Sequence, residues 1–228
     1  MGHQRTMRRF ARWHIWLAWL AGVPILMWTV TGLVMTVRPI EQVRGEHLRK
    51  DLPTETLPAG AELVRVPPAD DVVELVQRVR AGKLEFIATR ADGSKVAWNL
   101  TDNRPGGARM ADEARAIVAQ RIVGGDRVAE VTEFTADDPP FDFRRPVAGY
   151  QVALEDGTHV YVEKATGDIL AVRTQFWRVF DFMWGLHIMD LQTREDTSHP
   201  LLILFAALGV LASLLGCVLM FRRRSGPA

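Results

Sequence analysis

Two uncharged apolar runs limit what this chain can fold into. Ile15 to Val37 is one, with 23 residues, and Leu201 to Phe221 is the other, with 21. At about 1.5 Å per helical residue they reach roughly 34 and 31 Å, enough for a hydrocarbon core of about 30 Å. All 27 acidic residues fall between them, from Glu41 to Asp196. Outside the runs only positive charge occurs: Arg5, Arg8, Arg9 and Arg12 before the first, Arg222 to Arg224 after the second. The ends therefore carry +7 and the middle 21 − 27 = −6, which sums to the overall +1. By the positive-inside rule both termini are expected in the cytoplasm of a bacterial cell, with about 160 residues on the periplasmic side of the inner membrane.

A cleavable signal peptide is the competing reading of the first run. The run is longer than the usual 7–15-residue apolar segment, and Met35-Thr36-Val37-Arg38-Pro39 offers no small-x-small cleavage site, so a retained anchor is expected. The one cysteine, Cys217, lies inside the second run, which leaves the middle without a disulfide or thiolate metal site. The chain has no Gly-rich phosphate loop and no basic stripe, and no nucleotide or nucleic-acid partner is expected.

The middle has globular composition. Pro53, Pro58, Pro67 and Pro68 break up the stretch after the first run, which reads as a linker or a short strand at 62–66. Val72, Val73, Leu75, Val76 and Val79 suggest an amphipathic helix over 69–80, and a strand pair follows around an Asp92-Gly93 turn. A second helix over 112–123 closes at Gly124-Gly125. Strands follow at 127–134, 149–154, 159–163 and 169–172, with a turn at Asp156-Gly157. The segments ADGSKVAW and EDGTHVYV match at an offset of 64 residues, which suggests two copies of a helix-plus-hairpin unit. The divisions expected are a basic tail (1–12), a membrane helix (13–37), a linker (38–66), a weaker unit (67–108) and a second unit (109–173). An interfacial aromatic helix with its loop (174–199), the second membrane helix (200–221) and a basic tail (222–228) complete the chain.

The stretch YQVALEDGTHVYVEKATGDIL resembles a PepSY domain, a short helix on an antiparallel sheet. RRFARWHIWLAWLAGVPILMWTVTGL, FWRVFDFMWGLHIMD and HPLLILF are similar to segments of PepSY-associated transmembrane proteins. The resemblance implies an α+β fold in which two transmembrane helices bracket a periplasmic PepSY-like domain. Larger members include inner-membrane ferric-siderophore reductases with more membrane helices than two. An electron-transfer or reductase-associated role, connected with iron, is one reading. A non-enzymatic, membrane-tethered interaction or peptidase-regulating module is the other.

Six histidines are present. His3 and His47 lie in polar segments and His159 on a hairpin strand; solvation or an edge-strand position accounts for all three. His14, His187 and His199 lie at membrane boundaries among aromatics, where an ionisable group is costly and marks a candidate site. They are the candidate cofactor ligands, and the resemblance implies haem b, which requires two imidazoles on one iron. His187 and His199 fall at the same end and are placed to share one iron; His14, roughly 30 Å away, needs a second chain or another subunit. The competing reading is an aromatic belt of Trp13, Trp16, Trp19, Trp177 and Trp184 to which the histidines merely belong. Ala206, Gly209, Ala212, Ser213 and Gly216 form a small-residue stripe suited to close helix packing, which points to a homodimer or a membrane complex. Glu133, Asp137, Asp138 and Asp142 offer oxygens for a metal but lack regular ligand spacing, and a solvated charge run is the expectation.

Overall fold

A computed structural model describes residues 2–53, 55–57, 59, 71–108 and 110–223. The elements are α1 (Gly2–Met35), α2 (Ile40–Val43), a 3-10 turn (Glu46–Leu48), β1 (Val72–Arg80), β2 (Lys83–Arg90), β3 (Lys95–Asn99) and β4 (Arg104–Pro105). After these come α3 (Ala111–Arg121), β5 (Val128–Phe134), β6 (Gly149–Leu154), β7 (His159–Glu163), β8 (Ile169–Arg173), α4 (Gln175–His187) and α5 (Pro200–Arg223). Two compact units result: residues 1–39 with 179–228, and residues 40–178, the boundary falling inside α4. Both long helices are apolar enough to cross a membrane, and their apolar side chains stay exposed, which a soluble core helix would not allow.

The unit 40–178 holds two four-stranded antiparallel sheets, ordered β1-β2-β3-β4 and β5-β6-β7-β8. The repeat legible in the sequence is a repeat of sheets. Asp92-Gly93 and Asp156-Gly157 turn the same hairpin in each, with Asp92 accepting from the Ser94 amide and Asp156 from the Thr158 amide, both at 2.8 Å. Gly93 and Gly157 carry φ of 82° and 78°, a conformation that costs residues with a Cβ. The first strand of each sheet is also bulged near its start, at Val72/Glu74 and Val128/Glu130.

Among the described residues the helix is not repeated. Residues 72–80, expected as a helix, form β1, paired along its length with β2. Valines at 72, 73, 76 and 79 are stiff at χ1 and suit a pleated surface, so β pairing overrides the helical spacing. The strand expected at 62–66 lies outside the described residues. Nor is the start of the 38–66 stretch a bare linker: Val43 is buried, Leu48 packs on the core of the second sheet, and Arg49 bridges Ile122. Gly45 is required here, since a Cβ on it would stand 2.7 Å from Val172 Cγ1.

The core lies between α3 and one face of the second sheet. Ala114, Val118 and Ile122 meet Val152, Leu154, Val160, Val162 and Val172. The opposite face carries Phe134, Phe143, Tyr161 and Ala171, with Phe143 stacked on Tyr161 at 4.7 Å. The first sheet joins the second through charge. Arg80 donates to the Thr166 and Gly167 carbonyls, and Arg78 grips Asp168 with contacts of 2.9 and 3.2 Å. The Thr166-Gly167-Asp168 turn is thus a receptor for two arginines, and Gly167, at φ 69°, admits the Arg80 guanidinium. Removing buried volume from the α3 interface should be costly. Ile122→Ala is expected to lower stability by about 2–5 kcal/mol, against about 0.5 kcal/mol or less for Val73→Ala on the exposed side of β1, as read by thermal unfolding of the detergent-solubilised chain.

Candidate functional site

In the unit formed by 1–39 and 179–228, one stripe of α1 carries the contacts. His14, Ala21, Pro24, Trp28 and Thr31 recur at spacings of three, four and seven, which places them on one helical face. α5 runs antiparallel along it: Gly209 faces Ile25, and Ala212 and Gly216 face His14. Three members of the small-residue stripe therefore serve the chain's own helix pair, while Ala206 and Ser213 remain exposed. At the other three positions close backbone approach is used within one chain.

His14 Nδ1 lies 3.0 Å from the Ala212 carbonyl oxygen. A carbonyl only accepts, so Nδ1 carries the hydrogen and the neutral ring has its lone pair on Nε2. Gly216 makes this reach feasible. A Cβ there would stand 3.0 Å from His14 Cε1, against the ring itself. Beside His14 an open groove of about 460 Å³ is lined by Ile15, Ala18, Trp19, Gly22 and Val23.

His187 ends α4 and meets the far end of the same α1 stripe. Its Nδ1 is 2.9 Å from Thr31 Oγ1, and its backbone carbonyl accepts from Trp28 Nε1 at 2.7 Å. The Thr31 hydroxyl also lies 2.8 Å from the Met27 carbonyl; with its hydrogen turned there, it accepts from His187 Nδ1–H, which leaves Nε2 bare. From His14 to Thr31 is 17 residues of helix, about 25 Å, so the two rings belong to separate sites. The α1–α5 register (25 with 209, 14 with 216) sets the entry of α5, at His199, opposite the last turns of α1, where His187 sits. The Nδ1 of His199 is buried and has no hydrogen-bond partner among the described residues.

The loop from His187 to His199 is built rather than loose. Met189, at φ 59°, ends α4 with the Asp190 amide returning to the Gly185 carbonyl at 3.0 Å. Asp190 accepts from the Thr193 hydroxyl and from the amides of Gln192, Thr193, Glu195 and Asp196. The Thr193 hydroxyl first, then these amides, hold its carboxyl well below the ordinary range against the opposing effect of burial. Arg194 pairs with buried Asp181 at 2.6 Å, and Trp184 donates to the Arg194 carbonyl at 3.1 Å.

A second polar cluster escaped sequence reasoning. His159 is not on an edge: β7 is paired on both sides, and His159 Nδ1 lies 3.0 Å from Asp142 Oδ2. Tyr161 donates to the other Asp142 oxygen, and Arg178 stands 3.8 Å away. Burial raises the Asp142 carboxyl, but bonds from His159 and Tyr161 and the Arg178 charge outweigh it and hold it low. Burial first, then Asp142, pushes the Tyr161 phenol up. Tyr161 is fully buried, and the cluster locks the irregular 135–148 segment to the sheet. Its partners are 17 and 19 residues apart in sequence, with no spacing to reveal them. Glu133 is occupied by Lys164 and Tyr150, and among the described residues no group of three His, Cys, Asp or Glu is arranged for a metal ion.

Two apolar helices, an α+β unit carried between them and histidines facing the helix pair define a membrane protein of mixed architecture. The model of the PepSY-associated TM region matches residues 11–227. The chain belongs to that family. No curated protein and no solved structure matches it.

The Asp142 cluster has a pH consequence. Its folded pKa lies below the unfolded value, so its contribution is present above about pH 4 and disappears as pH falls through the folded pKa. Thermal melts from pH 7 down to pH 3 should show Asp142→Asn less stable than wild type at neutral pH, with the difference narrowing in acid. Parallel curves at all pH values would contradict this assignment.

Proposed function

We propose that this chain is a bacterial inner-membrane electron-transfer or reductase-associated component, in the chemistry of iron, with His14, His187 and His199 as ligands of haem b. The observation that carries the reading is that His14 and His187 are both engaged at Nδ1 by an oxygen of the helix pair. With Nδ1–H held by such an oxygen, Nε2 is the nitrogen left for iron, an arrangement in which outer hydrogen bonds orient a ligating imidazole. An aromatic belt needs no such anchoring. Haem b, when bound, supplies a one-electron iron centre whose potential follows its ligands and their hydrogen bonds.

The chain's own residues fit this role unequally. Ala18 and Gly22 leave the groove beside His14 free of bulk at one-turn spacing. His187 and His199 belong to the same end of the helix pair and would share a single iron. His3, the other histidine on that side of the span, lies eleven residues earlier in α1, about 17 Å along the helix, so the His14 site is completed by a second copy of the chain or another subunit. Charge supports the topology: both basic tails in the cytoplasm and the acidic middle in the periplasm.

Reduced-minus-oxidised spectra of the detergent-purified protein should show b-type bands, lost from one site by His187→Ala or His199→Ala and from the other by His14→Ala. Thr31→Val should keep the iron but raise its midpoint potential, since a ligand that loses its Nδ1–H acceptor is a weaker donor. A well-folded, colourless preparation would instead favour a tethered interaction module, a reading supported by the exposed Val73, Leu75 and Val76 on β1.

Reporter fusions test the topology separately. One inserted at the exposed Asp92-Gly93 turn should be periplasmic, and ones at either terminus cytoplasmic. A periplasmic terminus would overturn the arrangement.

A further inference from the structure

The face of α1 turned away from its packing stripe is cationic at one end and apolar at the other. Arg9, Arg12, Trp13 and Trp16 line an open groove of about 700 Å³. Trp13, Trp16, Leu17, Trp19 and Leu20 line a second, of about 410 Å³. The two share Trp13 and Trp16, so they form one trough along a single helix face. From Arg9 to Leu20 is eleven residues, about 17 Å, close to the roughly 15 Å of one hydrocarbon leaflet. Trp13, Trp16 and Trp19 are 64%, 73% and 80% exposed, so their rings are met by something outside the chain. No acidic residue precedes Glu41 to neutralise the arginines.

We propose that this trough binds one anionic phospholipid, its phosphate between Arg9 and Arg12 and one acyl chain along Trp16 and Leu20. The order of chemistry along the helix selects the ligand. Two guanidiniums one turn apart recognise a phosphodiester, and indoles one turn further on bridge the headgroup region to the chains. A zwitterionic lipid brings its own ammonium to the arginines and is disfavoured. A parallel second copy on this face would set Arg9 and Arg12 against their own counterparts, which like-charge repulsion opposes. The site contains none of the three histidines and shares only Trp19 with the groove beside His14.

Native mass spectrometry of the full-length protein, titrated with phosphatidylglycerol or phosphatidylcholine, tests the assignment. Wild type should saturate with one tightly held phosphatidylglycerol, preferred about tenfold or more over phosphatidylcholine. The double variant Arg9→Gln, Arg12→Gln should lose about thirtyfold in phosphatidylglycerol affinity and with it the preference. Trp16→Ala leaves the charge unchanged and should still weaken retention of both lipids several-fold. Equal binding of the two lipids by wild type would overturn the proposal. So would a lipid-free dimer, or a Trp16→Ala protein with unchanged phosphatidylglycerol affinity, which would reduce the effect to diffuse surface charge.

Discussion

The close approach of α5 to α1 at Ala212 and Gly216 is the contact on which the membrane unit depends. A helix carbonyl has two lone pairs, and the Ala212 oxygen can accept from the His14 ring as well as from its own helix only where no side chain intervenes one turn on. Gly216 supplies that gap, since a Cβ would sit against the imidazole. In hydrocarbon an unsatisfied imidazole N–H is costly, so this one bond fixes the rotation of α1 about its axis. With that rotation set, Thr31 and Trp28 face His187 and the Arg9–Trp16 face turns outward.

The unit 40–178 is organised by a different constraint, the joining of two sheets that share no backbone ladder. Its solution is a turn whose carbonyls and carboxylate receive two arginines. Arg78 and Arg80 project from one face of β1, two residues apart, as period-two alternation requires. The receptor needs Gly167 in the left-handed region, Thr166 buried and Asp168 half-exposed, a combination the Thr-Gly-Asp sequence meets. The second sheet carries the helix and most of the apolar core; the first is held to it by charge-assisted bonds.

Membership of the PepSY-associated family was legible from local motifs: the W-H opening of α1, the Asp-Gly and Thr-Gly-Asp turns, and the aromatic segment ending in Leu186-His187. Such motifs read well because each is contiguous. The β1 error shows the limit. Val72, Val73, Leu75, Val76 and Val79 satisfy helical spacing, yet β2 pairing and β-branched side chains decide for a strand. Likewise the small-residue stripe of α5 announced close packing, but at Gly209, Ala212 and Gly216 the partner is a helix of the same chain, some 200 residues earlier.

By itself the sequence determined the two spans, the charge asymmetry, the duplicated hairpins and the three boundary histidines, because length, sign and turn chemistry are properties of short segments. Only the tertiary structure decided which atoms of those histidines are engaged. The Ala212 carbonyl lies 198 residues from His14, and Thr31 lies 156 from His187. The Asp142 lock on Tyr161 and His159 was equally out of reach of spacing. A hydrogen bond is set by direction and distance in space, and neither is encoded in residue type or local period until the chain has closed on itself.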